Sequence, residues 1–157
     1  MKINSLILSL IPIIFLSCDI ESNNNPASNI EYNTQVSIGK ENDLIYIEIY
    51  DYPKIAGFQF DIHLSSGNLQ INTLSASGGL SEEANFTVST GLEMLRVLGF
   101  NLNGETINSA HLDSNRLVYL NIETNGSGLI GLQNVIISGE NGYDIPVNIN
   151  PILISIP

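Results

Sequence analysis

The chain is 157 residues long, 43% hydrophobic, and carries a net charge of −11 from 16 acidic residues against five basic ones. So large a negative excess repels nucleic acid and anionic lipid surfaces, which leaves neither as a candidate partner. One cysteine excludes an internal disulfide, and the absence of tryptophan removes the largest flat ring for stacking on sugars.

Taken in chain order, residues 1–17 read as an export signal. Lys2 precedes an uncharged run ending "ILSLIPIIFLSC", broken by Pro12 and too short for the roughly 20 apolar residues of a membrane-spanning helix. The final "FLSC" resembles a bacterial lipobox, in which the cysteine, here Cys18, is acylated and becomes the mature N-terminus. Ser17 suits that pattern, whereas Phe15 and Leu16 depart from it. Lipidation implies an extracytoplasmic domain held to the cell envelope by acyl chains alone. The other reading is an ordinary secretory signal with a chance cysteine, and then a secreted protein. Residues 18–31, Asn- and Ser-rich around Pro26, read as a flexible tether. The mature chain keeps four basic residues (Lys40, Lys54, Arg96, Arg116) against 16 acidic ones, a net charge of −12.

Residues 32–157 have the length of a single domain. Nearly every segment in them alternates apolar and polar residues with the period of a half-buried strand. The expected strands are 34–38, 43–50, 55–64, 68–76, 85–90, 94–103, 116–123, 129–138 and 145–156. In 43–50, Ile45, Ile47 and Ile49 share one face, with Tyr46, Glu48 and Tyr50 on the other. In "AGFQFDIHL", Phe58, Phe60, Ile62 and Leu64 oppose Gln59, Asp61 and His63. The phase of 68–76 shifts at Thr73–Leu74, which predicts a bulge. Between the strands lie the turn signals "SSGN", "SGG", "STG", "NG", "DSN", "NGSG" and "ENG". One stretch, 79–86, suits a helical turn, with Ser81 as N-cap and Glu82 and Glu83 in its first turn. About nine short strands so spaced predict an all-β, jelly-roll β-sandwich.

Chemistry-bearing motifs are scarce. His63 and His111 stand far apart in the chain, and no GxSxG, HExxH or phosphate loop is present. The placement of the acids selects no catalytic pair, so the chain is expected not to be an enzyme. Tyr46, Tyr50 and Tyr52 are the candidate sugar contacts, or else they cover an edge of the sandwich. Phe58, Phe60, Phe86 and Phe100 read as core. Glu41, Asn42, Asp43 and Asp51 place oxygens near loops, which suits calcium. No EF-hand spacing accompanies them, and no metal site is assigned. The Gly-rich loop 77–91 either carries function or crosses between sheets.

The order of these features resembles the cohesin domain. "LIYIEIYDYPKIAGFQFDIHL" followed by "GNLQI" resembles that family's opening strands, with "AGFQFDI" (56–62) the closest match. "NRLVYLNIET" (115–124) resembles a later strand, and "GLIGLQNVIISGENGYDIPV" (128–147) the final hairpin. The resemblance implies a nine-stranded jelly-roll sandwich that binds calcium-loaded dockerin modules in systems acting on polysaccharides. It also implies contacts from one sheet face that includes strand 55–64. By that resemblance Gln59, Asp61 and His63 form the partner-binding face, and Asn101, Asn121 and Glu123 are exposed-phase candidates on other strands. The expected function is therefore a non-catalytic cell-surface module for a dockerin-bearing protein, with calcium in the partner or in surface loops. A carbohydrate-binding module of the same superfold and a structural envelope domain stay open as alternatives. The chain reads "HLSSGN" where the family often has an Asp-Pro turn, so partner preference does not carry over.

Overall fold

The alternating runs become strands of two packed sheets in the computed structural model, which describes residues 32–108 and 114–157. The signal segment 1–17, the tether 18–31 with Cys18, and His111 lie outside the described residues. The elements are β1 (Gln35–Glu41), β2 (Leu44–Tyr50), β3 (Ile55–Gly67), β4 (Gln70–Ser77), α1 (Gly79–Glu83), β5 (Thr87–Gly91) and β6 (Arg96–Phe100). There follow β7 (Arg116–Asn125), β8 (Gly128–Gly139), a 3₁₀ turn (Glu140–Gly142), β9 (Asp144–Ile145), β10 (Asn148–Ile149) and β11 (Ile154–Ile156). A five-stranded sheet runs β10-β1-β2-β7-β4. A six-stranded sheet runs β11-β8-β3-β6-β5, with β9 added on β8.

The sandwich class is as expected, but there are eleven strands among the described residues rather than nine. The whole difference lies in 145–156. Pro146 and Pro151 cannot donate to a ladder, so the segment breaks into three short pieces. Those pieces serve different sheets. β9 and β11 pair antiparallel with β8, while β10 pairs parallel with β1. The C-terminal segment thereby edges both layers.

Inward positions of both sheets meet in one core. Val36, Ile38, Ile45, Ile47 and Ile49 come from the five-stranded layer, and Phe58, Phe60, Ile62, Val97, Ile130 and Ile137 from the other, all 5% exposed or less. Burying a side chain such as Phe60 contributes about 1.5–3 kcal/mol. Phe58 stacks at 6.1 Å on both Phe60 and Phe86, and it lies over its register partner Gly99, where a Cβ would overlap the ring. The bulge expected in 68–76 appears as a register shift between Ile71 and Thr73, and it turns Leu74 inward. The helical turn forms as α1, but Ser81 is not its N-cap. Gly78 holds that position, and the buried Ser81 hydroxyl donates to the Gly78 carbonyl at 2.8 Å. The loop carrying α1 joins β4 in one sheet to β5 in the other, which is the crossover reading of 77–91.

Candidate functional site

The outer face of the six-stranded sheet follows from its register. Gln59 sits between Leu98 of β6 and Ile136 of β8, Gly57 between Phe100 and Ser138, and Asp61 between Arg96 and Gln133. β5 extends the face with Thr87, Ser89 and Gly91. Around Gln59 the surface dips into a shallow depression of about 400 Å³. Leu98 and Ile136 stand 40% and 50% exposed at its sides, and Phe100 is half-buried there. Phe100 is thus not core. Within β6 it shares a phase with Arg96 and Leu98, while Val97 and Gly99 point inward. Asp61 is the one acid at these register positions, on a chain that carries 16.

That acid is not free. Its carboxylate is 3% exposed and closed over by its neighbours. Arg96 Nε donates to Oδ1 at 2.7 Å and Arg96 Nη2 to Oδ2 at 2.9 Å, while Asn134 Nδ2 adds a third bond to Oδ2 at 2.9 Å. Asn134 reaches it from a bulge: Gln59 pairs with Ile136 and Asp61 with Gln133, which leaves an extra residue on β8, and Asn134 adopts φ 52°. The forked hydrogen bonds from Arg96, outweighing the opposing effect of burial, hold the carboxyl below the ordinary carboxylate range. The expected exposed carboxylate is therefore a covered ion pair.

The six residues assigned to a binding face do not share one. Gln59, Asp61 and His63 follow one another on β3, with His63 exposed near the rim. Asn101 lies just beyond β6 and spends its amide on loops. Its Nδ2 donates to the carbonyls of Ala84 and Asn85, and its Oδ1 accepts from the backbone N–H groups of Asn103 and Glu105. Asn121 and Glu123 are exposed on β7, opposite Ser75 and Thr73 of β4, and so belong to the five-stranded sheet.

The tyrosines do not form a platform either. Tyr52 is 4% exposed and part of the core. The Arg116 guanidinium covers the Tyr46 ring, 4.2 Å from its centroid, and also pairs with Glu41. Tyr50 alone stands open, and burial with nearby Glu48 pushes its phenol upward. The loop oxygens considered for calcium are partly engaged: Glu41 with Arg116, and Asp51 with the Asn33 amide at 2.8 Å. Among the described residues no three His, Cys, Asp or Glu side chains gather as metal ligands.

Sequence reasoning missed Arg96, Leu98, Asn134 and Ile136. A signal was present for two of them. "RVLGF" and "NVIIS" are apolar in both phases, which marks strands covered on both faces rather than one. Asn134 depends on a bulge, which the pattern does not show.

No protein-family model matches the sequence, and no curated protein does. Solved structures do match. The chain aligns with a type I cohesin–dockerin complex from Clostridium thermocellum, Coh-OlpC with Doc435, at a TM-score of 0.53 and 10% identity, over 79% of this chain and 93% of that one. The chain has the cohesin fold. A complex of a CaDoc0917 variant with CaCohA2 at pH 5.5 gives a TM-score of 0.54 and 16% identity over 80% of this chain and 100% of that one. A non-cellulosomal cohesin from the hyperthermophilic archaeon Archaeoglobus fulgidus gives 0.51 and 16% over 74% and 86%. At such identities a cohesin-like backbone is common to all three, and none of their side-chain contacts is transferred with it.

Proposed function

We propose that this chain is a non-catalytic binding module that docks a protein of dockerin type on the outer face of its six-stranded sheet. The observation that carries the reading is the charge-depleted depression around Gln59. An apolar centre of Leu98, Phe100 and Ile136, with no charged residue in its lining, the neighbouring Asp61 neutralised by Arg96 and Asp144 kept to the β9 edge, stands on a strongly acidic chain. Interface centres have this makeup, with aromatic and aliphatic groups in the middle and charge at the rim or paired. The face includes β3, the strand from which the cohesin resemblance implies partner contacts.

The wider setting belongs to the same proposal. Cys18 is acylated and anchors the domain outside the cytoplasm, and the partner brings an activity directed at polysaccharide. Calcium resides in the partner. Mass spectrometry of the mature N-terminus tests the lipid.

Calorimetry tests the docking. The full chain is titrated with a panel of calcium-loaded dockerin modules, Doc435 and CaDoc0917 among them, with and without a chelator. Saturable binding that the chelator abolishes supports the reading. A panel that yields no binder, in the presence of properly folded chain, overturns it.

A further inference from the structure

At the Asp61 position of the docking face the polar group a partner meets is a guanidinium, not the carboxylate that the strand pattern advertises. The Asp61 carboxylate is fully engaged by three donors and 3% exposed, whereas the Arg96 side chain is 31% exposed. Arg96 spends Nε and one N–H of Nη2 on Asp61. That leaves the second N–H of Nη2 and both of Nη1 without a hydrogen-bond partner among the described residues. The fork fixes the plane and direction of those donors before any partner arrives, so little side-chain freedom is lost on binding. Leu98 stands two residues along the same face of β6, and Gln59 stands beside it on β3.

We propose that Arg96 is the specificity-determining residue of this face, and that it donates to a neutral oxygen of the partner: a backbone carbonyl, a hydroxyl or a carboxamide. This rests on the docking reading given above. The neutral acceptor follows from the charge count. Asp61 already balances Arg96, so a partner carboxylate would meet a second carboxylate across a single guanidinium. Buried donors left unpaired are costly, so a partner that offers an apolar group at this point is rejected. Asp61 and Asn134 act through Arg96 as positioning residues.

The test uses the full chain and the tightest calcium-loaded dockerin of the panel as probe, read by calorimetry. Removing Arg96 alone orphans a covered carboxylate and endangers folding. The pair is therefore replaced together, as Asp61→Leu with Arg96→Met, an exchange that leaves no unpaired charge. Arg96→Lys, which keeps the charge but not the fork, is measured beside it. Both variants are expected to melt near the wild type and to bind about 10- to 100-fold more weakly, in the range of a truncated arginine anchor. Wild-type affinity is expected to change less than about threefold between low and high salt, because no net charge pairs across this point.

Binding by the double variant within about twofold of wild type overturns the proposal. So does full affinity in Arg96→Lys, which would make charge sufficient. A steep salt dependence that disappears in the double variant identifies a partner carboxylate and overturns the neutral acceptor. Leu98→Asp separates the two levels. If it too binds as the wild type does, the probe does not use this face, and the docking reading fails rather than the role of Arg96.

Discussion

Asp61 shows how a residue's chemistry is set by what folds over it. Its phase on β3 is outward, yet Arg96 and Asn134 cover it and hold it ionised. Because its folded pKa lies below the ordinary 3.8, the unfolded chain takes up the proton first as pH falls. The stability it contributes is therefore complete above pH 3.8 and is lost as pH drops through the lower folded value. Asp61→Asn is expected to cost about 1–3 kcal/mol at neutral pH, less than a fully buried pair because Arg96 is partly wet. It is also expected to flatten acid unfolding below pH 3.8; urea titrations at pH 7 and pH 3 measure both. A second residue-scale constraint is steric. The Phe58 ring occupies the space a Gly99 Cβ would need. Gly99→Ala should therefore destabilise by about 1–3 kcal/mol through overpacking, and adding Phe58→Leu should recover part of the loss. Thermal melts of the two variants decide it.

At the scale of elements, periodicity carried most of the information. Ile45, Ile47 and Ile49 had to face a core, and a run such as 43–50 became a strand because period-2 burial admits no other regular element, whereas 145–156 broke into three pieces at its prolines. What the pattern lacks is any record of which strand lies beside which. Asn121 alternates outward as clearly as Gln59 does, but β7 pairs with β2 and β4 and so carries it to the other sheet. The strand boundary at Asn101 has the same origin. The apolar run continues in sequence to Leu102, yet the Asn101 amide ends β6 by bonding backbone at both sides of the turn. Four backbone groups depend on this one half-buried side chain. Asn101→Ala is expected to cost about 1–3 kcal/mol and to speed amide exchange at Asn103 and Glu105 selectively. Hydrogen exchange that stays unchanged at those two amides would show that water replaces the bonds without loss.

For the whole molecule the question is how two outer sheet faces of one acidic sandwich come to differ. The five-stranded face carries Glu48, Glu123 and the Arg116–Glu41 pair over Tyr46, and its exposed Leu44 and Tyr50 stand apart at the two ends of β2. The six-stranded face keeps exposed Leu98 and Ile136 around Gln59 and neutralises Asp61, the acid of its central strand, which leaves Asp144 on the short β9 edge. Exposed apolar side chains held together on a sheet are retained against solubility, which gives this face a reason to be covered. The fold was legible from alternation and from the short "AGFQFDI" resemblance. The site was legible only in its first strand, because its other half comes from β6 and β8, distant in sequence and joined by register alone. The asymmetry leads to a sharp expectation. Leu98→Asp and Ile136→Asp place charge in the apolar centre and should each weaken partner binding at least about tenfold. Both sites are 40% exposed or more, so the melting temperature should move by only a few degrees. Asn121→Ala and Glu123→Ala, on the opposite face, should bind as the wild type does. Calorimetry on the four variants beside their melts separates the faces, and a loss confined to Asn121→Ala or Glu123→Ala would move the docking surface to the five-stranded sheet.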